Sequence, residues 1–168
     1  MKHTINETMT KTNACRILDK HHITYELRDY AWSEEELDAV SVARKIGLPP
    51  EQVFKTLILT GDALKYFVAV IPANAELDLK RTAKLTGNKS CAMLPVKELL
   101  PLTGYVRGGC SPIGMKKLFP TFIDVSAQTF AIISISPGQR GQQALLAPND
   151  LASVINAEFA NFCEEQTA

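Results

Sequence analysis

The chain has 168 residues, with 18 lysines and arginines against 18 aspartates and glutamates, and 46% of it is hydrophobic. That length and composition fit one globular domain with a sizeable core. A formal charge of zero excludes a global field for nucleic acid, so any RNA contact has to come from a local patch, and no uninterrupted apolar stretch is long enough to span a bilayer.

Met1 to Thr8 carries no apolar signal core, which predicts a cytoplasmic protein. Residues 1–9 read as a frayed tail ahead of a single domain over 10–168. Thr10 or Thr12 caps a predicted helix running to about His21, with Ala14, Ile17 and Leu18 at helical spacing. Ile23 to Leu27 reads as a strand leading to Tyr30. The polar run Ser33-Glu34-Glu35-Glu36 precedes a second helix, with Leu37, Val40, Ala43 and Ile46 on one face and Gly47 at its C-terminal end.

Beyond Pro49-Pro50 comes the most apolar run, Val53-Phe54-Lys55-Thr56-Leu57-Ile58-Leu59. It is short, rich in β-branched and aromatic residues, and ends at the turn pair Gly61-Asp62, so it reads as a strand. Alternation places Lys55 with Val53, Leu57 and Leu59, and Phe54, Thr56 and Ile58 on the other face. With both faces largely apolar, the ammonium must find a partner, reach water or lose its proton. The strand alone favours a snorkelling lysine or one guarding a sheet edge, and a functional lysine needs support from elsewhere in the chain.

Gly61-Asp62 turns the chain into a second apolar strand, Leu64 to Ile71, for a predicted hairpin. Asp78 to Leu85 is a short basic helix, carrying Lys80, Arg81 and Lys84 and ended by Gly87. Pro95 to Leu100 is another, with proline in its first turn. Strands are predicted over Thr121 to Val125 and Ala131 to Ser136, followed by the turn Pro137-Gly138, the basic loop with Arg140 and a last short strand at Leu145-Leu146. Pro148-Asn149-Asp150 starts a helix that buries Leu151, Val154 and Ile155. Helices interleaved with hairpins predict a single α/β domain around a mixed, curved sheet.

The loop Gly108-Gly109-Cys110-Ser111-Pro112-Ile113-Gly114 is the second outlying feature. Adjacent glycines expose backbone N–H groups able to cradle an anion or polarise a carbonyl, although a tight turn accounts for the pair equally well. The loop is neither a P-loop nor a dinucleotide fingerprint. Cys110 has no histidine linked to it in the sequence, which favours a packed cysteine over a nucleophile. Cys15, Cys91, Cys110 and Cys163 are scattered and His3, His21 and His22 all lie near the N-terminus, so the spacing predicts no zinc site. No metal and no cofactor is called for.

Together, Val53-Phe54-Lys55-Thr56-Leu57, Leu77-Asp78-Leu79-Lys80 and the Gly108–Gly114 loop resemble the YbaK/EbsC family of aminoacyl-tRNA deacylases. The match extends to Gly104-Tyr105, Gly141 and Leu145 through Leu151, in order over most of residues 10 to 160. The nearest resemblance is to the free-standing Cys-tRNA(Pro) branch. It implies a single α/β domain with a mixed, largely antiparallel, barrel-like sheet flanked by helices. It implies that Lys55 is the catalytic residue facing the aminoacyl ester, and that Tyr30, Thr56, Gly108, Gly109, Ser111 and Ser136 bind substrate. Gln143 stands where some members carry aspartate. The implied partners are the acceptor end of tRNA(Pro) and a prolyl-tRNA synthetase that delivers it. The resemblance also implies a substrate-assisted route, in which the cysteine substrate's own thiol attacks its carbonyl and leaves as a cyclic thiolactone. Lys80, Arg81, Lys84, Lys116 and Lys117 are candidates for phosphate contacts, with a merely solvated surface as the alternative reading. Rival functions are an Ala-tRNA(Pro) deacylase and a non-catalytic module that binds an RNA 3′ end or a nucleotide.

Overall fold

The computed structural model describes residues 11–165; the expected tail over 1–9 and the alternative cap Thr10 lie outside them. Helix α1 (Asn13–Lys20) starts at Thr12, whose side chain accepts from the Cys15 N–H at 3.2 Å. One orphan donor of the first turn is thereby satisfied. Strand β1 (Glu26–Asp29) begins later than the expected Ile23, because the ladder that defines it starts only at Glu26, opposite Leu145. Ile23 and Tyr25 pack against the core before that pairing begins.

Helix α2 (Ala39–Ile46) is capped by Asp38 and closed by Gly47, which adopts φ +76°. That left-handed conformation is the one glycine adopts without a Cβ penalty. The expected apolar face needs correction. Ser41, Val42, Ala43 and Ile46 are buried, whereas Val40 is 42% exposed. The helix starts after Leu37, so its inward face is set by the Asp38 cap and falls on Val42 instead of Val40.

Strands β2 (Phe54–Gly61) and β3 (Tyr66–Pro72) form the predicted antiparallel hairpin, with Lys55 opposite Ile71. Helix α3 (Leu79–Leu85) is capped by Asp78, which accepts from the Arg81 N–H at 3.0 Å. Strand β4 (Cys91–Met93) pairs with the other edge of β2. The helix expected over Pro95 to Leu100 divides into a 3₁₀ turn (Val96–Glu98) and α4 (Leu99–Thr103), which ends at Gly104. Strands β5 (Thr121–Asp124), β6 (Ile133–Ile135) and β7 (Gln142–Leu146) follow, then α5 (Pro148–Ile155) and β8 (Glu158–Ala160).

The strands make a five-stranded sheet, β4-β2-β3-β5-β8, and a three-stranded sheet, β1-β7-β6. The β3–β5 and β5–β8 pairs are parallel and the remaining ladders antiparallel, as a mixed, largely antiparallel α/β domain requires. A parallel bridge between Val53 and Ser134 joins the sheets, which do not close into a barrel.

The main core lies between the sheets. Phe54, Ile58, Val68, Val70 and Ile123 meet Ile133, Ile135, Ala144 and Leu146 there, with Leu18 and Leu151 contributed by helices. Leu59, Phe67, Ala69 and Ile71 bury the opposite face against Leu77, Phe122 and Phe162. Strand β2 is thus covered on both sides, as its sequence predicts. Each fully buried Leu, Ile or Phe contributes roughly 1.5–3 kcal/mol of transfer free energy, and this two-sided burial holds the backbone of Lys55 rigid.

Candidate active site

A cavity of about 350 Å³ opens between β2, the start of α2, the segment from β4 to α4, and the glycine loop. Lys55 and Thr56, neighbours on opposite faces of β2, both border it, with Gly108 and Cys110 from the loop, and Ser136 and Gln143 from the three-stranded sheet and its flank. The two stretches singled out by the sequence, with Lys55 and Gly108 53 positions apart, therefore wall one space.

Lys55 is partly buried, and its Nζ donates to the Ala73 carbonyl at 3.1 Å. Burial pushes the amine below its usual 10.5, while the nearby Glu76, Cys163 and Asp38 act in the opposite sense without cancelling it. The lysine is therefore anchored by one carbonyl and has ammonium donors left for a ligand. Thr56 Oγ1 is buried and makes no hydrogen bond among the described residues. Leaving a buried hydroxyl unsatisfied costs about 1–3 kcal/mol, so a ligand that bonds it recovers that cost. Ser136 Oγ accepts from the Gly138 N–H at 3.1 Å, and Gln143 Oε1 accepts from Ser134 Oγ at 2.7 Å. Burial raises the Cys110 thiol to about 12, which leaves it protonated and non-nucleophilic near neutrality.

The other expected site residues lie behind the wall. Tyr30 packs against the small cluster of Ala43, Ile46, Val53 and Ala73, and its N–H donates to the Gly141 carbonyl at 3.0 Å. Ser111 is buried, with Oγ accepting from the Ile113 N–H at 3.1 Å. The Gly109 N–H donates to the Val106 carbonyl at 3.0 Å, so it serves the loop's own turn instead of pointing to a ligand. A Cβ on Gly109 would sit 3.1 Å from the Arg140 backbone nitrogen and 3.2 Å from the Gln139 carbonyl carbon. Gly108 adopts φ +85°, and a Cβ there would come within 3.0 Å of Leu37 Cδ2. The glycine pair thus lets the loop lie against the 139–140 backbone and the wall before α2.

Asp38 and Arg107 also line the cavity, though the sequence did not single them out. For Asp38 the available signal was its position as helix cap. Arg81 is occupied elsewhere, with Nη1 at 3.3 Å from both Asn161 Oδ1 and the Cys163 carbonyl. Lys80, Lys84, Lys116 and Lys117 are exposed. Among the described residues no cluster of three or more His, Cys, Asp or Glu side chains is placed to hold a metal ion, and no helix is long and apolar enough to cross a membrane.

Residues 33–154 match the family model of the aminoacyl-tRNA editing domain. The chain is 47% identical over 160 residues to EbsC of Enterococcus faecalis, a candidate Cys-tRNA(Pro)/Cys-tRNA(Cys) deacylase, a match covering 95% of this chain and 98% of that relative. It is 28% identical over 134 residues to the uncharacterized YwhH of Bacillus subtilis, covering 78% of this chain and 85% of that one. A solved structure of a candidate trans-editing enzyme for prolyl-tRNA synthetase superposes with a TM-score of 0.78 at 19% identity, covering 93% of this chain and 100% of the other. At that identity the likeness speaks for the fold.

Proposed function

The chain belongs to the aminoacyl-tRNA editing-domain family, and from that premise we propose that it is a free-standing deacylase that releases cysteine from mischarged Cys-tRNA(Pro). The observation that carries the reading is the pairing of an anchored Lys55 with the unsatisfied Thr56 hydroxyl in one cavity. The cavity is at the small end of ligand sites, a size for an aminoacyl group and part of a ribose. The near-full-length likeness to EbsC supports cysteine as the amino acid.

An aminoacyl ester needs a nucleophile, charge stabilisation on its carbonyl oxygen and a proton for the departing ribose oxygen. With its thiol raised to about 12 by burial, Cys110 is a poor nucleophile near neutrality. The substrate thiol takes that role: once deprotonated, its sulfur bonds to the carbonyl carbon, the ester C–O bond breaks, and the ribose oxygen takes up a proton. The products are a cyclic thiolactone and tRNA with a free hydroxyl. Lys55 stabilises the developing oxygen charge as a cation and hydrogen-bond donor, while Thr56 holds the substrate in register. Lys55 also binds and positions the ester. The acceptor end lies along the exposed lysines, and a prolyl-tRNA synthetase delivers tRNA(Pro) to a protein whose zero net charge attracts it weakly. The work of such an enzyme is in the cytoplasm.

The test is release of amino acid from Cys-, Ala- and Pro-tRNA(Pro) by the purified protein. Release from Cys-tRNA(Pro) alone is expected. Release from Ala-tRNA(Pro) in its place would make the protein an alanine editor, and binding without turnover would make it an RNA-end binding module.

A further inference from the structure

The lining of the active-site cavity contains three charged side chains, Asp38, Lys55 and Arg107. Two are cations. The substrate of a deacylase nevertheless brings a third positive charge, the α-ammonium of its amino acid, one carbon away from the ester carbonyl that Lys55 addresses. The anchored Lys55 and the exposed Arg107 repel that group unless an anion offsets them, and Glu76, the acid that acts most on Lys55, stands outside the lining. The wall formed by the three-stranded sheet offers none, because Gln143 is neutral and its Oε1 is already bonded to Ser134.

Asp38 is the carboxylate of this lining. It is held in one position, with Oδ2 accepting from the Ser41 N–H at 3.0 Å and Oδ1 from Ser41 Oγ at 2.8 Å. A carboxylate has about four acceptor positions, and Ser41 uses two of them. Its own backbone N–H takes a third and Arg44 acts on it electrostatically, so about one position remains for a further N–H donor. Asp38 is solvent-exposed, whereas the Thr56 hydroxyl in the same cavity is buried. An aminoacyl group entering side chain first keeps its ester and α-ammonium on the exposed side, where Asp38 stands.

We propose that Asp38 is the residue that binds the α-ammonium of the aminoacyl ester, so that this chain reads the amine from the N-cap of α2. This rests on the deacylase reading above. Asp38 is then a substrate-binding residue with two tasks, capping α2 and selecting substrates with a free amine.

The test uses Cys-tRNA(Pro) and its des-amino analogue, 3-mercaptopropionyl-tRNA(Pro), which keeps the thiol and lacks the amine. Asp38→Asn removes the charge and retains a good cap; Asp38→Ser, also a capping residue, is the second variant, and thermal unfolding checks that both fold. The quantity compared is the ratio of kcat/KM for the two substrates, from which the amine's own effect on ester reactivity cancels between proteins. Both variants are expected to lower that ratio at least about tenfold, as loss of a charge-assisted hydrogen bond implies, mainly through a higher KM for Cys-tRNA(Pro). A ratio unchanged from wild type in the folded variants would overturn the role of Asp38. A wild-type protein that releases neither acyl group would instead overturn the deacylase reading and the present inference with it.

Discussion

Lys55 has one carbonyl to bond and a burial that weakens its hold on the proton. The cation is the form that stabilises an oxyanion, so activity present at lower pH falls as pH rises through the lowered pKa. The pH–rate profile for Cys-tRNA(Pro), corrected for spontaneous hydrolysis, is therefore expected to show an alkaline limb below pH 10.5. Lys55→Arg keeps its charge throughout that range and should remove the limb from whatever activity remains. An identical limb in the arginine variant would assign it to another group. Cys110 makes the opposite prediction. With its thiol raised to about 12, it should resist iodoacetamide at neutral pH, and Cys110→Ala should keep kcat/KM within about tenfold of wild type, well short of the roughly 10⁴-fold or greater loss typical of removing a true nucleophile. Rapid alkylation with loss of activity would contradict this.

Among the elements, the glycine loop carries the clearest mechanical demand. Gly109→Ala would press a methyl group against the 139–140 backbone, an overpacking that costs about 1–3 kcal/mol. A lowered Tm together with lost activity is expected, because the same loop holds Gly108 and Cys110 in the cavity wall; an unchanged Tm would show that the loop tolerates the shift. The glycine pair stands out in the sequence, but its reason does not, since the turn it touches, between β6 and β7, is some 30 residues away. The β2–β3 hairpin was legible because alternation and a turn pair act locally. Strands β4 and β8 were not, because Cys91–Met93 and Glu158–Ala160 are three-residue edges with too little pattern to distinguish them from loop. The same locality limits the site. Lys55 announces itself by being charged in an apolar run, whereas Asp38 enters the wall only because α2 packs on Val53 and Ala73, at the end of the β2–β3 hairpin. Tyr30 and Ser111 show the converse: a family-like spacing does not distinguish a residue that lines a cavity from one that supports its wall.

At the scale of the whole molecule, a neutral protein has to hold a polyanion by a local patch. If Lys80, Lys84, Lys116 and Lys117 each meet a phosphate, tRNA binding weakens steeply with salt, and each Lys→Ala change lowers the slope of log K against log salt by about 0.7–0.9. Salt-insensitive binding would remove those lysines from the interface. Arg81, bonded to the 161–163 segment, should matter more for stability than for tRNA. The decisive chemistry lies in this cavity, where the two covered faces of β2 hold Lys55 against the incoming ester. Single-turnover release of cysteine from Cys-tRNA(Pro), comparing wild type with a folded Lys55→Ala variant, tests it most directly. Loss of one electrostatic stabiliser predicts a fall in rate of about 10²–10³-fold; release at the wild-type rate would contradict the assignment of this cavity as the active site.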